Sequence, residues 1–334
     1  MFGMQAHRSK MVGHRKRVSP KRKSVVTNQK EVITAEIPAN QEELFIRRIL
    51  QQPRKSHIRG LEIQDVLYNS APELRELAFK SGYNVGSEAY RISKNGGIAP
   101  LEHMLENAGF GKVIYHSFES MSTFTAYAPR PNAHNMGMNI HVFETGLISG
   151  YLSAHLGRNI AAAETSCVFN GASHCMFVAK AHAFADPDAY RYLTLEEILS
   201  ALSYSLSRAQ KHQGDTYYYA VSLQPLLNEP VHSEATKFLY MLGKLLALQK
   251  IQDQKRSILN ISDFLKIENA KVSSSKKGLR VSLAYSHASS SGRIVDLTTS
   301  FLSGFIKRTY GRNVQVTRSL SSRGVYNVRL ELMV

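Results

Sequence analysis

The stretch His141–Val178, HVFETGLISGYLSAHLGRNIAAAETSCVFNGASHCMFV, decides how this chain of 334 residues is read. It holds the protein's two cysteines, Cys167 and Cys175, with Glu164 three residues before the first. Between the cysteines, Asn170-Gly171 is a strong hairpin signal, and the apolar alternation on either side predicts two strands. A hairpin there brings Cys167 and Cys175 together across its turn. Upstream, Phe143 to Leu156 repeats apolar residues at helical spacing until Gly157, which suits a helix end. A ligand just before that helix, His141, and ligands on the following hairpin can converge on one tetrahedral metal. Spacing alone leaves another reading open. Two cysteines can be buried small hydrophobes or a cross-strand pair, and Glu164 a solvated strand residue. The pattern is not CxxC…CxxC.

The segment resembles the 4-vinyl reductase domain family, whose members bind small molecules and serve as sensor parts of phenol-responsive transcription activators. The fold is shared with subunits of vesicle-tethering complexes. The motif of that family is a zinc ligand, a helix with two glycines, Glu-x2-Cys, seven residues, and Cys. Gly146, Gly150, Glu164, Cys167 and Cys175 match it position by position. The first ligand, Cys in the sensor proteins, is His141 here, a change that keeps tetrahedral zinc chemistry. The resemblance therefore implies zinc as cofactor, held by His141, Glu164, Cys167 and Cys175. It also implies a small apolar ligand between sheet and helices, lined by Tyr115, Phe118, Phe124 and Tyr127, with His116 as a polar contact. Plain core packing is the competing role for each aromatic.

A repeat runs through the chain. Leu147–Ile160, LISGYLSAHLGRNI, returns as Phe301–Val314, FLSGFIKRTYGRNV, displaced by 154 residues. The same displacement lays Asn40-Gln-Glu-Glu43 on Thr194-Leu-Glu-Glu197, both of capping-box form, and Gly60 on Gly214. Between these ends the copies align only with small gaps. The metal ligands do not recur: His141 falls on Val295, Glu164 on Arg318, Cys167 on Ser321 and, after a one-residue deletion, Cys175 on Val328. The expected organisation is a basic disordered tail at 1–38, a zinc-containing domain at 39–185 and a degenerate, metal-free copy at 190–334. Since relatives generally work as dimers, a fused pair is expected to form a pseudo-dimer within one chain.

Charge is concentrated at the start. Residues 1–30 hold nine Lys or Arg and no acid; removing nine from the formal +16 leaves +7 for the rest. Arg8, Lys10, Arg15, Lys16, Arg17, Lys21, Arg22 and Lys23 form the dense part. Such a segment cannot bury enough surface to fold alone. It reads as a polyanion-binding arm for DNA or RNA, the alternative being a solubilising tail. No apolar run reaches about 18 residues, so no transmembrane segment is expected. The basic start lacks a secretory apolar stretch, and two cysteines assigned to a metal suit a reducing compartment, so a cytoplasmic location is expected.

The remaining pattern is α+β: two tandem antiparallel sheets, each with packed helices. Helices are expected at about 41–52, 72–92, 100–107, 195–213 and 235–252, a strand pair over 112–127, and strands at 279–285, 314–319 and 326–333. No phosphate loop, nucleophile elbow or HExxH helix is present, and four protein ligands leave zinc no open position, so no enzyme activity is expected. Two function classes follow. One is a non-enzymatic zinc-binding ligand-binding or sensor protein, regulatory through nucleic acid held by its tail. The other is a pseudo-dimeric scaffold docking on a ribonucleoprotein such as the ribosome.

Overall fold

Period-two alternation builds two four-stranded antiparallel sheets in the computed structural model. It describes residues 39–52, 61–94, 96–118, 121–127, 135–181, 192–207, 216–249, 253–265, 267, 269–275, 278–285, 292–321 and 325–333. The basic segment, with the eight cations from Arg8 to Lys23, lies outside them. The first sheet comprises β1 (Lys112–Ser117), β2 (Met121–Tyr127), β3 (Ala161–Ser166) and β4 (Cys175–Lys180), in the order β1-β2-β4-β3. The second comprises β5 (Asn269–Ser275), β6 (Gly278–Tyr285), β7 (Val314–Leu320) and β8 (Tyr326–Leu332), in the equivalent order β5-β6-β8-β7. In each, one face is apolar: Val113, Phe124, Ala126, Phe177 and Ala179 are buried in the first, and Val281, Leu283, Val328 and Leu330 in the second.

Helices α1 (Ala39–Gln51), α2 (Ile63–Tyr68), α3 (Pro72–Ile92), α4 (Ala99–Asn107) and α5 (Val142–Leu156) accompany the first sheet. Helices α6 (Leu195–Ser207), α7 (Thr216–Ser222), α8 (Val231–Leu246), α9 (Gln254–Phe264) and α10 (Gly292–Tyr310) accompany the second. The capping box expected at Thr194 is formed: its N–H donates to Glu197 Oε2 at 2.8 Å, and the Glu197 N–H donates to Thr194 Oγ1 at 3.3 Å. Helix α8 starts a turn earlier than its sequence suggests. His232 takes the first place on the buried stripe continued by Ala235, Leu239, Leu242 and Leu246. Helix α2 and strand β5 carry weak periodic signals and were not expected from sequence. No helix among the described residues is long and apolar enough to cross a membrane.

The helix pair at the centre of each half is built on glycine. A Cβ on Gly150 would lie 1.9 Å from the Tyr83 carbonyl oxygen, and one on Gly86 would lie 2.1 Å from that of Leu147. Helices α3 and α5 thus touch backbone to backbone. In the second half a Cβ on Gly304 would lie 2.0 Å from the Tyr240 carbonyl oxygen, and one on Gly243 would lie 2.1 Å from that of Phe301. Both halves make the same Tyr-to-Gly and Gly-to-aliphatic or aromatic contacts, at equivalent places on α8 and α10.

The halves meet through α1, α2, α5 and α7. Phe45 packs on Tyr217 with ring centroids 5.6 Å apart, and the Tyr218 hydroxyl donates to Glu144 Oε1 at 3.1 Å. Tyr68 donates to the Ser222 carbonyl. Burial, with Asp65 and Glu144 nearby, holds the Tyr68 hydroxyl well above its ordinary pKa, so it stays protonated and able to donate.

Candidate metal centre

Three chain segments deliver the four donors. His141 is the residue before α5, and its carbonyl accepts the helix's first backbone bond from Thr145 at 3.1 Å. Asn69 Nδ2 donates to the Ile140 carbonyl at 2.9 Å, and Asn139 Nδ2 donates to the Glu164 carbonyl at 2.5 Å. These bonds pin the segment entering α5 to the body of the first half and to β3. The rings of Phe110, Phe169 and Phe177 enclose the imidazole, with centroids 4.8, 5.8 and 6.3 Å away.

Glu164 and Cys167 are three apart on a strand, a spacing that regular pleating sends to opposite faces. The register resolves the conflict. Glu164 pairs with Phe177 but Ser166 pairs with Met176, so a bulge at Thr165 absorbs one residue. Glu164 and Cys167 therefore face the same side. Cys167 then opens a single 3-10 turn, Val168–Asn170, whose chain reversal is completed by Gly171 at φ 81°. The Cys167 carbonyl accepts from the N–H groups of Asn170 at 2.9 Å and Ala172 at 3.1 Å. That turn returns the chain to Cys175, the first residue of β4.

All four side chains are buried, and their donor atoms lie within 4.8 Å of one another. His141 Nδ1 is 2.6 Å from Glu164 Oε1, 3.6 Å from Cys167 Sγ and 3.9 Å from Cys175 Sγ. Zinc bonds of about 2.3 Å to sulfur and 2.0–2.1 Å to nitrogen imply tetrahedral S···N edges of about 3.5 Å. The observed separations fit such a cation, and an S₂NO set is soft enough to select zinc over magnesium or calcium. The Val168 N–H, 3.5 Å from Cys175 Sγ, is placed to support a thiolate. Both thiols are free. Among the described residues no other group of His, Cys, Asp or Glu is so arranged.

Electrostatics points the same way. Burial disfavours a charged His141, but Glu164 and Cys167 overcome it and hold its pKa well above the ordinary value. Burial, Cys175 and Glu164 push the Cys167 thiol well up, against the pull of His141. Without a cation the set therefore retains protons, and a divalent ion would displace them.

The residues expected to line a ligand site are only partly brought together. Tyr115 and Phe124 are neighbours on the inner face, 4.9 Å between centroids, with Phe124 fully buried in the core. His116 pairs with Thr123 on the opposite face, and Phe118 is 54% exposed beyond the strand. The side chain of Tyr127 lies outside the described residues. Asn139 and Phe110 support the centre but carry no motif signal; the odd Glu-x2-Cys spacing was the available hint of a bulge. In the second half Arg318, at the place of Glu164, pairs instead with Asp296.

An α+β unit with buried donors gathered at the root of a hairpin defines a domain able to hold a metal ion. The family model of the 4-vinyl reductase domain matches residues 126–181, and the segment bearing the centre belongs to that family. Domains of this family are generally ligand-binding or sensor modules. No curated protein matches the chain.

His141 supplies a direct test of the donor set. His141→Cys should retain zinc near one equivalent, since both residue types are ordinary zinc ligands, whereas His141→Ala should lower affinity by about tenfold or more. Zinc competition with a chromophoric chelator measures both. Unchanged affinity in the Ala variant would place the fourth ligand elsewhere.

Proposed function

We propose that the chain is a non-enzymatic, zinc-stabilised small-molecule-binding or sensor protein whose basic N-terminal segment contacts nucleic acid. The observation that carries the zinc assignment is the convergence of His141, Glu164, Cys167 and Cys175 in one buried cluster with tetrahedral spacing. Zinc bound there would supply folding free energy and, with four protein donors, no open position for water. His141 and Glu164 would tie α5 to β3, and the two cysteines would close the hairpin. The match to the 4-vinyl reductase domain supports ligand binding or sensing as the role of the first half.

The two halves are read as copies of one domain acting as a built-in dimer. Equivalent sheet orders and the repeated glycine contacts support this. So does the Tyr68–Ser222 bond, which joins residues 154 apart, the displacement of the repeat itself. Residues near the axis of an isologous dimer meet their own counterparts in this way.

The nucleic-acid reading rests on the nine cations of residues 1–30. Deleting that segment should leave the melting temperature unchanged and weaken binding to a generic duplex at least tenfold at moderate salt. The full chain should show a log–log salt slope of about −0.9 per phosphate contact on duplex DNA. Equal affinity of the truncated and full chains would leave the segment a solubilising tail.

A further inference from the structure

A cleft of about 390 Å³ opens on the helical side of the first half, between α1, the end of α3 and the start of α4. Its size lies within the range of about 300–1,000 Å³ usual for small-molecule sites. Leu50, Ile92 and Pro100 give it an apolar lining, while Arg47 and His103 contribute polar groups. None of these residues takes part in the metal centre.

Two donor groups on this cleft lack protein partners. His103 Nε2 is buried and makes no hydrogen bond among the described residues. A buried polar atom left unmade costs about 1–3 kcal/mol, so its presence calls for a partner that the chain itself does not supply. Arg47 bonds Glu43 through Nε at 3.0 Å and through Nη2. Its Nη1 has no partner among the described residues and remains available on the cleft. A guanidinium edge and an imidazole beside an apolar lining match a planar anionic head on a hydrocarbon body.

We propose that this cleft binds a small amphipathic carboxylate, its head held by Arg47 and His103 and its carbon chain lying on Leu50, Ile92 and Pro100. The inference deepens the ligand-binding reading of the first half by assigning a place and a chemical class. Because Arg47 is largely solvated and already satisfied by Glu43, replacing it removes the anion contact without opening the core.

The test is calorimetric titration of the full chain with octanoate and, separately, with 1-octanol, alongside zinc content by elemental analysis of the same samples. Octanoate should bind one-to-one and at least tenfold more tightly than 1-octanol. Arg47→Met should erase that preference, and His103→Phe should weaken octanoate while sparing 1-octanol. His103→Gln, which keeps a neutral donor, should fall between, and it stands in should the Phe variant not fold. Absence of octanoate binding to folded, zinc-loaded protein would overturn the proposal while leaving the zinc assignment intact. Equal affinity of wild type and Arg47→Met would overturn it too. Octanoate binding to protein without zinc would sustain the cleft and sink the zinc assignment instead.

Discussion

Replacing Cys167 or Cys175 by serine is expected to unfold the first half at ambient temperature. Both thiols are buried in a cluster of four donors, and a serine hydroxyl is a poor zinc ligand. Structural zinc contributes about 10–16 kcal/mol in peptide sites near neutral pH. A whole domain is stable by only about 5–15 kcal/mol, so losing the ion removes most or all of the margin. The three that remain would then be a buried carboxylate, an imidazole and one thiol with no cation to organise them. Chelation of wild-type protein should have the same effect as either substitution. Circular dichroism melts with and without a strong chelator, read against zinc content, provide the check. A metal-free preparation that melts like the loaded one would refute the structural role of zinc.

The second large effect is steric. Gly150→Ala should destabilise the protein by about 3 kcal/mol or more, at the upper end of what overpacking costs. The obstacle is the Tyr83 carbonyl oxygen, 1.9 Å from the position of the new Cβ. A backbone atom inside a helix cannot rotate aside, so α3 and α5 must separate along their length. Alanine's better helix propensity, worth about 1 kcal/mol over glycine, offsets only part of this. Gly304→Ala should act alike on α8 and α10, where the Tyr240 carbonyl oxygen lies 2.0 Å away. Denaturant unfolding of the two variants would measure both, and a cost below about 1 kcal/mol in either would mean the helices can slide apart freely.

Much of this architecture is legible in residue pattern, and the parts that are not have physical reasons. Pro72 opens α3, and the left-handed Gly157 closes α5 at φ 62°, so punctuation marks both boundaries. The four donors are legible because Glu, Cys and His with a hairpin between them suit few other purposes. Helix α2 escapes notice because its six residues are all buried and show no polar face. Strand β5, NAKVSSS, has little apolar content of its own and is fixed by pairing with β6 across seven registered positions. The cleft beside Arg47 depends on how α1, α3 and α4 come together, which no local window of sequence contains. The wall of aromatics expected on β1 and β2 divides between the two sheet faces, because Tyr115 and His116 are successive residues of one strand.

The bulge at Thr165 bears on how a metal centre can be lost and regained, once the halves are read as copies. In the second half, β7 pairs with β8 without a break from Val314–Leu332 to Leu320–Tyr326. A strand that pleats evenly cannot aim residues 318 and 321 at the same point, whatever side chains they carry. Restoring Glu, Cys and Cys at Arg318, Ser321 and Val328, with His at Val295, would supply the chemistry while the backbone withheld the aim. One inserted residue in one strand thus separates the two halves more deeply than their four ligand positions do. Loss of the ion and straightening of the strand form a ratchet: the first step relaxes selection on the kink, and the second bars the way back by point mutation alone.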